Sequence, residues 1–301
     1  MTRRLALFFQ TLVLIGCGSN KKDSNEFPEF EIGVVADCQY CNCEPWDVRY
    51  YRKSPNRLRE AVDTLNSYEL EYSIHLGDFI DKNFESFDTV VPIWNRLQAN
   101  RYHVLGNHDF SVADSLKPFV LEKMDIEDRY YSIVRNKWRF IVLDGNDLSE
   151  HGALTEAKKQ QTDSLFTELS AKNLPNLKPW NGGLSHEQLE WVEKELKLAV
   201  ENNERVGFYC HFPSLGEEQD HNLWNYEQLL GIIDKYECVK FYFNGHNHAG
   251  SYVDRNGVHY LNFKGMVDTD NSTSFATVTF REDSIFVKGF GRELSRRLKI
   301  R

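Results

Sequence analysis

Five short clusters of chemically capable side chains recur along this sequence, each just after a run of apolar residues. Asp37-Cys38-Gln39 is the first and Gly77-Asp78-Phe79-Ile80-Asp81 the second. Gly106-Asn107-His108-Asp109, Cys210-His211 and Gly245-His246-Asn247-His248 follow. Carboxylate, amide and imidazole groups are the donors that hold hard to borderline divalent cations. Taken singly these clusters say little, since Gly-Asp-x-x-Asp is more often a turn than a site. The ordered set of five is what reads as a metal centre. In the pairs Asp37/Gln39 and His246/His248, side chains two residues apart leave a strand in the same general direction, so both can meet one site.

Such a centre needs elements that bring position 37 to position 248. Residues 30–36, 72–76, 102–105, 138–143, 206–210 and 239–243 read as short buried strands. The donor clusters stand at the carboxyl ends of five of them, where open α/β sheets bind their ligands. Glycines at 77, 106 and 245 let the chain turn sharply as each strand ends. Between the strands, Ser54-Pro55 reads as a helix cap with proline in the first turn. Ser185 with Gln188 reads as a capping box opening a second helix. Toward the C-terminus, 250–254 and 258–263 flank the turn Arg255-Asn256-Gly257, and 275–280 pairs with 285–287. Residues 150–179 are the least patterned and read as an insertion with a partial helix.

Composition narrows the class. The 301 residues carry 36 Lys and Arg against 45 Asp and Glu, a net charge of −9 with no basic block, which excludes a nucleic-acid binder held by phosphate contacts. With 41 % hydrophobic residues, including 20 Phe and 14 Tyr, the chain can bury a core, so wholesale disorder is excluded. No apolar run long enough to span a bilayer follows the N-terminus, which excludes a multi-span protein. Nothing points to an obligate protein partner. Ligands spread from 37 to 248 must converge, so one catalytic domain is expected. An acidic chain repels an anionic substrate unless cations sit at the centre.

The N-terminus has its own message. Arg3-Arg4 precede an apolar stretch ending in Leu14-Ile15-Gly16-Cys17, which resembles a bacterial lipobox. The expectation is a signal peptide over 1–16, a tether over 17–29 with lipidated Cys17, and a catalytic domain over 30–301. The protein would then be lipid-anchored to the membrane at the bacterial cell envelope, facing the periplasm or exterior. An ordinary signal peptide with a chance cysteine is the other reading.

The ordered donor set resembles the calcineurin-like metallophosphoesterase superfamily, whose pattern is D-x-H, G-D-x-x-D, G-N-H-D/E, a lone histidine and G-H-x-H. This chain has Gln39 where the first motif has histidine. Val35-Ala36-Asp37-Cys38-Gln39-Tyr40, Arg49-Tyr50-Tyr51-Arg52, Trp180-Asn181-Gly182-Gly183-Leu184-Ser185 and Trp224-Asn225-Tyr226 are similar to the manganese-dependent ADP-ribose/CDP-alcohol diphosphatases. The similarity runs to Lys288-Gly289-Phe290-Gly291-Arg292. It implies an α/β fold of layered α+β type, a four-layer α/β/β/α sandwich with a two-metal site. One metal would be held by Asp37, Gln39, Asp78 and His248, the other by Asp78, Asn107, His211 and His246, with Asp78 bridging. An amide in place of an imidazole enriches the first site in hard oxygen, favouring Mn²⁺ or Mg²⁺ over Zn²⁺.

The resemblance further implies a hydrolase that cleaves a nucleotide diphosphate linkage, as in ADP-ribose or a CDP-alcohol, by in-line attack of a metal-bridging hydroxide. A phosphomonoesterase or cyclic-nucleotide phosphodiesterase of the same fold is the alternative, and a non-catalytic metal-binding lipoprotein a distant one. His108 is expected to stabilise phosphoryl charge or protonate the leaving group, with Asp109 orienting its ring. Arg49 and Arg52 either pair with a distal phosphate or are solvated. Tyr226, Trp224 and Tyr40 either stack on a base or belong to the core. His221 is expected in a solvated loop, and His75, His103, His151, His186 and His259 as structural. Cys38 and Cys210 read as buried apolar residues, Cys41-Asn42-Cys43 lacks a further ligand for zinc at suitable spacing, and disulfide connectivity is left open.

Overall fold

The computed structural model describes residues 27–216 and 219–300. The expected signal peptide, Cys17 and the tether up to residue 26 lie outside the described residues. From Phe30 the chain lays down β1 (Phe30–Val35), β2 (Tyr72–His75) and β3 (Asn100–His103), then β4 (Tyr131–Arg135), β5 (Trp138–Val142), β6 (Arg205–Tyr209) and β7 (Val239–Asn244). After these come β8 (Ser251–Arg255), β9 (Val258–Asn262), β10 (Ser274–Phe280), β11 (Ser284–Gly291) and β12 (Arg296–Lys299). The helices are α1 (Ser54–Leu65), α2 (Phe87–Trp94), the single turn α3 (Val120–Lys123), α4 (Glu156–Ser170), α5 (His186–Glu201) and α6 (Tyr226–Ile233).

The strands form two six-stranded sheets, ordered β12-β11-β10-β1-β2-β3 and β4-β5-β6-β7-β9-β8. Within them β1, β2 and β3 run parallel, as do β5, β6, β7 and β9, so the donor clusters after five of these strands open at strand ends. Alternation along each strand divides the core. Ile32 and Val34 of β1 meet Phe140 and Val142 of β5 and Phe241 and Phe243 of β7 between the sheets. The opposite faces pack outward, with Val35 beneath α1 and α2 and with Ile141 and Tyr242 beneath α5 and α6. The result is the expected α/β/β/α sandwich. Its two sheets are also tied by the Tyr72 and Tyr209 hydroxyls, 2.9 Å apart in the apolar interior.

Several local expectations are revised. Strand β3 lies two residues earlier than expected; Val104 and Leu105 just beyond it are buried, Val104 still donating to His75 O at 2.8 Å. Strand β4 went unread because its turn uses Asn136 and Lys137, both at positive φ, and lysine carries no such turn signal. Ser54 is the first helical residue of α1 rather than its cap, since a 3₁₀ turn (Tyr51–Lys53) leads straight into the helix. At α5 the Ser185 side chain does accept from the Gln188 N–H. The Gln188 side chain does not reach back to Ser185. It bonds both main-chain groups of Asp144 at 2.9 and 3.0 Å, tying the loop after β5 to the helix. Residues 150–179 hold α4, a full helix capped by Thr155.

Gly207 in β6 faces the space between the sheets, and the Phe241 ring fills the position a Cβ there would take, 2.0 Å away. Gly207→Ala must push that ring aside in a close-packed interior. The variant is expected to lose about 1–3 kcal/mol of stability, read as a lowered urea midpoint. A midpoint equal to that of the parent chain would show that the ring has room to move.

Candidate metal centre

Four of the seven expected ligands have left-handed backbone: Asp37 (φ 49°), Gln39 (φ 46°), Asp78 (φ 56°) and His246 (φ 71°). Non-glycine residues adopt this region at a cost of about 1–3 kcal/mol each and cluster where function demands it. The kinks are held by ladder-like bonds between the strand-end loops, including Gln39 N–H to Asp78 O at 2.8 Å and Gly245 N–H to His211 O at 3.1 Å. Of the glycines expected to ease sharp turns, only Gly77 has positive φ. Gly106 and Gly245 are needed for close approach instead, since a Cβ would lie 2.2 Å from Asp78 Oδ1 and 2.6 Å from Asp37 Oδ2 respectively.

These loops gather the donors. Asp78, His211 and His246 each offer an atom within 4.8 Å of the others. His211 Nε2 lies 3.2 Å from both Asp78 Oδ2 and Asn107 Oδ1, and 3.1 Å from His246 Nδ1. Asp37 Oδ1 sits 3.5 Å from His248 Nε2 and accepts from the His246 N–H at 3.1 Å. Gln39 completes the group: both polar atoms of its amide are buried and have no hydrogen-bond partner. A buried orphan amide on a loop bonded to that of Asp78 has the open donor atoms that a cation ligand needs. The donor set therefore fits two divalent ions.

Supporting groups orient the imidazoles in a way that the motifs do not reveal. His211 Nδ1 donates to Leu76 O at 2.9 Å, leaving Nε2 for the centre. His246 is turned the other way, with Nε2 on Asn181 Oδ1 at 2.8 Å. The Asn181 amide is itself fixed by donating to Asn176 O and Asp220 O, at 2.9 and 2.7 Å. His248 Nδ1 lies 2.8 Å from Asp268, on a loop pinned by the buried Arg57 of α1 through Met266 O and Val267 O. Burial opposes charge on Asp78 and His211 alike, yet their contact prevails. It holds the Asp78 carboxyl well below its usual range and pushes His211 up to about 9, with Asp37 contributing. Burial and the His211 charge hold His246 well below the usual histidine range.

Two expectations about the substrate side are corrected. Asp109 does not orient His108. Its fully buried carboxylate accepts four backbone N–H bonds, from Gly106 and Asp78 on Oδ2 and from Phe79 and Ile80 on Oδ1, at 2.8–3.3 Å. It braces two donor loops against each other. The His108 ring is held by Asp81 instead, with Nδ1 2.9 Å from the carbonyl and 3.4 Å from Oδ1. Arg52 is spent on the exposed surface, bonded to Asn42 and Glu44. Arg49 has its backbone bridged to Asp268 and its guanidinium over the exposed Trp46 ring, 5.6 Å from the centroid, while its charge still acts on Asp81.

The aromatic and histidine expectations divide similarly. Tyr226 opens α6 and packs on the core beneath it, lining a small cavity with Leu165, Leu169 and Trp224 that includes none of the donor residues. Trp224 is buried and donates to Lys178 O, so it is a core aromatic. Tyr40 pairs with Ile80. His221, expected in solvent, stands with its ring 5.4 Å from that of His246 and its Nδ1 3.0 Å from Asp220. His151 lies near enough to His108 that, after burial, the charge of His108 is the largest influence lowering its pKa.

Residues 30–250 match the calcineurin-like phosphoesterase family. Curated relatives include proteins named manganese-dependent ADP-ribose/CDP-alcohol diphosphatase. The one from Homo sapiens is 30 % identical, covering 87 % of this chain and 90 % of its own length. That from Bos taurus is 31 % identical, covering 87 % and 92 %. Among solved structures, a dimetal phosphatase from Danio rerio superposes with a TM-score of 0.82 at 27 % identity, over 90 % of this chain and 99 % of its own.

Asp109→Asn keeps the shape of the brace but turns an NH₂ group toward two of the four N–H donors. An expected loss of about 2–4 kcal/mol follows from two buried N–H donors left facing a donor. Denaturant unfolding of the variant reads it directly, and an unchanged midpoint would remove Asp109 from the brace.

Proposed function

The chain belongs to the calcineurin-like phosphoesterase family and is a metal-dependent hydrolase, and from that premise we propose that it cleaves the diphosphate linkage of nucleotide diphosphate compounds of the ADP-ribose or CDP-alcohol type. The observation that carries this reading is the buried orphan amide of Gln39, in the loop whose backbone bonds to Asp78, in a chain about 30 % identical over nearly its whole length to diphosphatases named for manganese. Two Mn²⁺ ions are the cations proposed, held by Asp37, Gln39, Asp78 and His248 on one side and by Asp78, Asn107, His211 and His246 on the other. When bound, such ions offset phosphoryl charge and lower the pKa of water.

The protein's own groups do the rest. Asp78 is held by its Oδ1, which accepts from the His108 N–H at 2.8 Å, and so turns Oδ2, which has no hydrogen-bond donor, toward His211 and the centre. His108 Nδ1 is engaged with the Asp81 carbonyl, which fixes that nitrogen as the N–H donor. Nε2 is then the nitrogen that addresses substrate. Donation from it to a phosphoryl oxygen uses the imidazolium, with Asp81 Oδ1 as counter-ion 3.4 Å away. A diphosphate has a phosphate ester as its leaving group, a weak base, so His108 serves chiefly by stabilising developing charge. His221, with its ring 5.4 Å from that of His246, and Arg49, whose charge reaches Asp81, are the groups offered to the second phosphate.

The lipid-anchored envelope location belongs to the same proposal and rests on the Arg3-Arg4, apolar and Leu14-Ile15-Gly16-Cys17 run. Cells fed a labelled fatty acid are expected to label the parent protein and not Cys17→Ser. A labelled Cys17→Ser protein would overturn the anchor.

The substrate assignment is tested with purified, metal-stripped protein reloaded with Mn²⁺. ADP-ribose and CDP-alcohols are expected to turn over at least tenfold faster in kcat/KM than p-nitrophenyl phosphate or a cyclic nucleotide, giving two phosphomonoesters. Faster turnover of p-nitrophenyl phosphate would replace the diphosphatase by a phosphomonoesterase, and best recovery with Zn²⁺ would overturn manganese.

A further inference from the structure

Cys41-Asn42-Cys43 plays no part in the phosphoester centre, and the sequence offers it no further ligand. The fold supplies one. Cys41 and Cys43 are joined by a disulfide, and Asp81 lies against it with Oδ2 3.6 Å from Cys41 Sγ. The two sulfurs and a carboxylate oxygen of Asp81 all fall within 4.8 Å of one another. Cys41 and Asp81 are buried and Cys43 partly exposed, beside Tyr51 and Val267. A disulfide sulfur has no proton to give, so this contact leaves a buried carboxylate oxygen facing sulfur without a donor. Two sulfurs and one carboxylate with an open side match the three-ligand pattern of zinc sites that keep water in the fourth position.

We propose that reduction of the Cys41–Cys43 bond opens a third cation site, formed by two thiolates and the Asp81 carboxylate, for a soft or borderline divalent ion of the Zn²⁺ class. A dithiol reductant attacks the more exposed Cys43 sulfur, the S–S bond breaks and Cys41 leaves as a thiolate. The second reductant thiol then displaces Cys43, giving two cysteine thiols and the oxidised, cyclic reductant. The freed sulfurs separate to about 3.8 Å, the span of two 2.3 Å bonds at the tetrahedral angle. Binding of the divalent ion releases the thiol protons to solvent. Softness separates this site from the phosphoester centre, which has only nitrogen and oxygen donors. It also couples the two, because the other oxygen of Asp81 lies 3.4 Å from His108 Nδ1. Burial pushes Cys38 far above the usual thiol range and Cys210 up to about 12, and raises the partly buried Cys238 as well.

The test uses the whole protein and cobalt(II) as probe, because thiolate ligation to cobalt gives a charge-transfer absorption that nitrogen and oxygen ligands do not. After reduction by a phosphine, one equivalent of cobalt per chain is expected to develop that absorption, and Zn²⁺ to abolish it. Unreduced protein should show none. Reduced Cys41→Ser/Cys43→Ser, which keeps Cys38, Cys210 and Cys238, should show none, and Asp81→Asn should bind at least tenfold more weakly. Two newly titrated thiols without the absorption would overturn the site, as would the same absorption in the double serine variant. The comparison of reduced with unreduced parent protein needs no variant, so it holds even if a substitution impairs folding.

Discussion

The carboxylate of Asp78 is buried where the strand ends of the two sheets meet, and the groups that keep it ionised are the groups it holds in place. Removing a charge from water costs several kcal/mol unless partners replace the solvent. Here one oxygen accepts the His108 N–H and the other faces His211, while the backbone N–H of the same residue donates to Asp109. His108 follows β3 in the first sheet and His211 follows β6 in the second, so the carboxylate joins the two halves of the sandwich at their mouth. The Tyr72–Tyr209 contact does so in the interior. A displaced Asp78 would loosen both the sheet junction and the donor set, which makes fold and centre hard to separate.

The same constraint accounts for the strained backbone. The donors Asp37, Gln39 and Asp78 lie beyond the ends of β1 and β2, where the chain must turn across the sheet mouth rather than run on as straight strand. A left-handed residue at each of these positions redirects the chain, and close packing at Gly106 and Gly245 brings main chain against carboxylates with no Cβ between. The energy comes from the brace of Asp109, the loop-to-loop backbone bonds and the sandwich core. An acidic chain of net charge −9 can nevertheless serve an anionic substrate, because two divalent ions concentrate positive charge at the strand ends and local field governs the encounter.

Legibility from the sequence depended on locality. The strand runs, the Asn256-Gly257 hairpin and the Ser185 cap rest on neighbours in the chain, and each formed near its expected position. The donor motifs were legible for a related reason, being short and repeatedly placed after apolar strands. Asn181, Asp268 and His221 carried no such signal. Each reaches its histidine partner through a loop 20 to 65 residues away along the chain or across the mouth. The quoted Trp180–Ser185 resemblance did mark the Asn181 segment, though not the job of its amide. Asp109 misled because adjacency to His108 suggested a pair, while the turn after Asn107 directs its carboxylate inward to four backbone donors. Arg52 looked like Arg49 in sequence, and only the fold shows Arg52 paired with Asn42 and Glu44 while the charge of Arg49 acts on Asp81.

By itself the sequence determined which side chains could hold cations and that apolar strands would present them at their carboxyl ends. Those properties follow from residue type and from periodicities of two or three to four residues. Tertiary structure decided which nitrogen of each imidazole faces the centre, which carboxylate braces and which orients, and that Asp81 stands between His108 and the Cys41–Cys43 pair. Those are matters of ångströms between residues far apart in the chain. They are settled only when the two sheets close and every buried donor must find its acceptor.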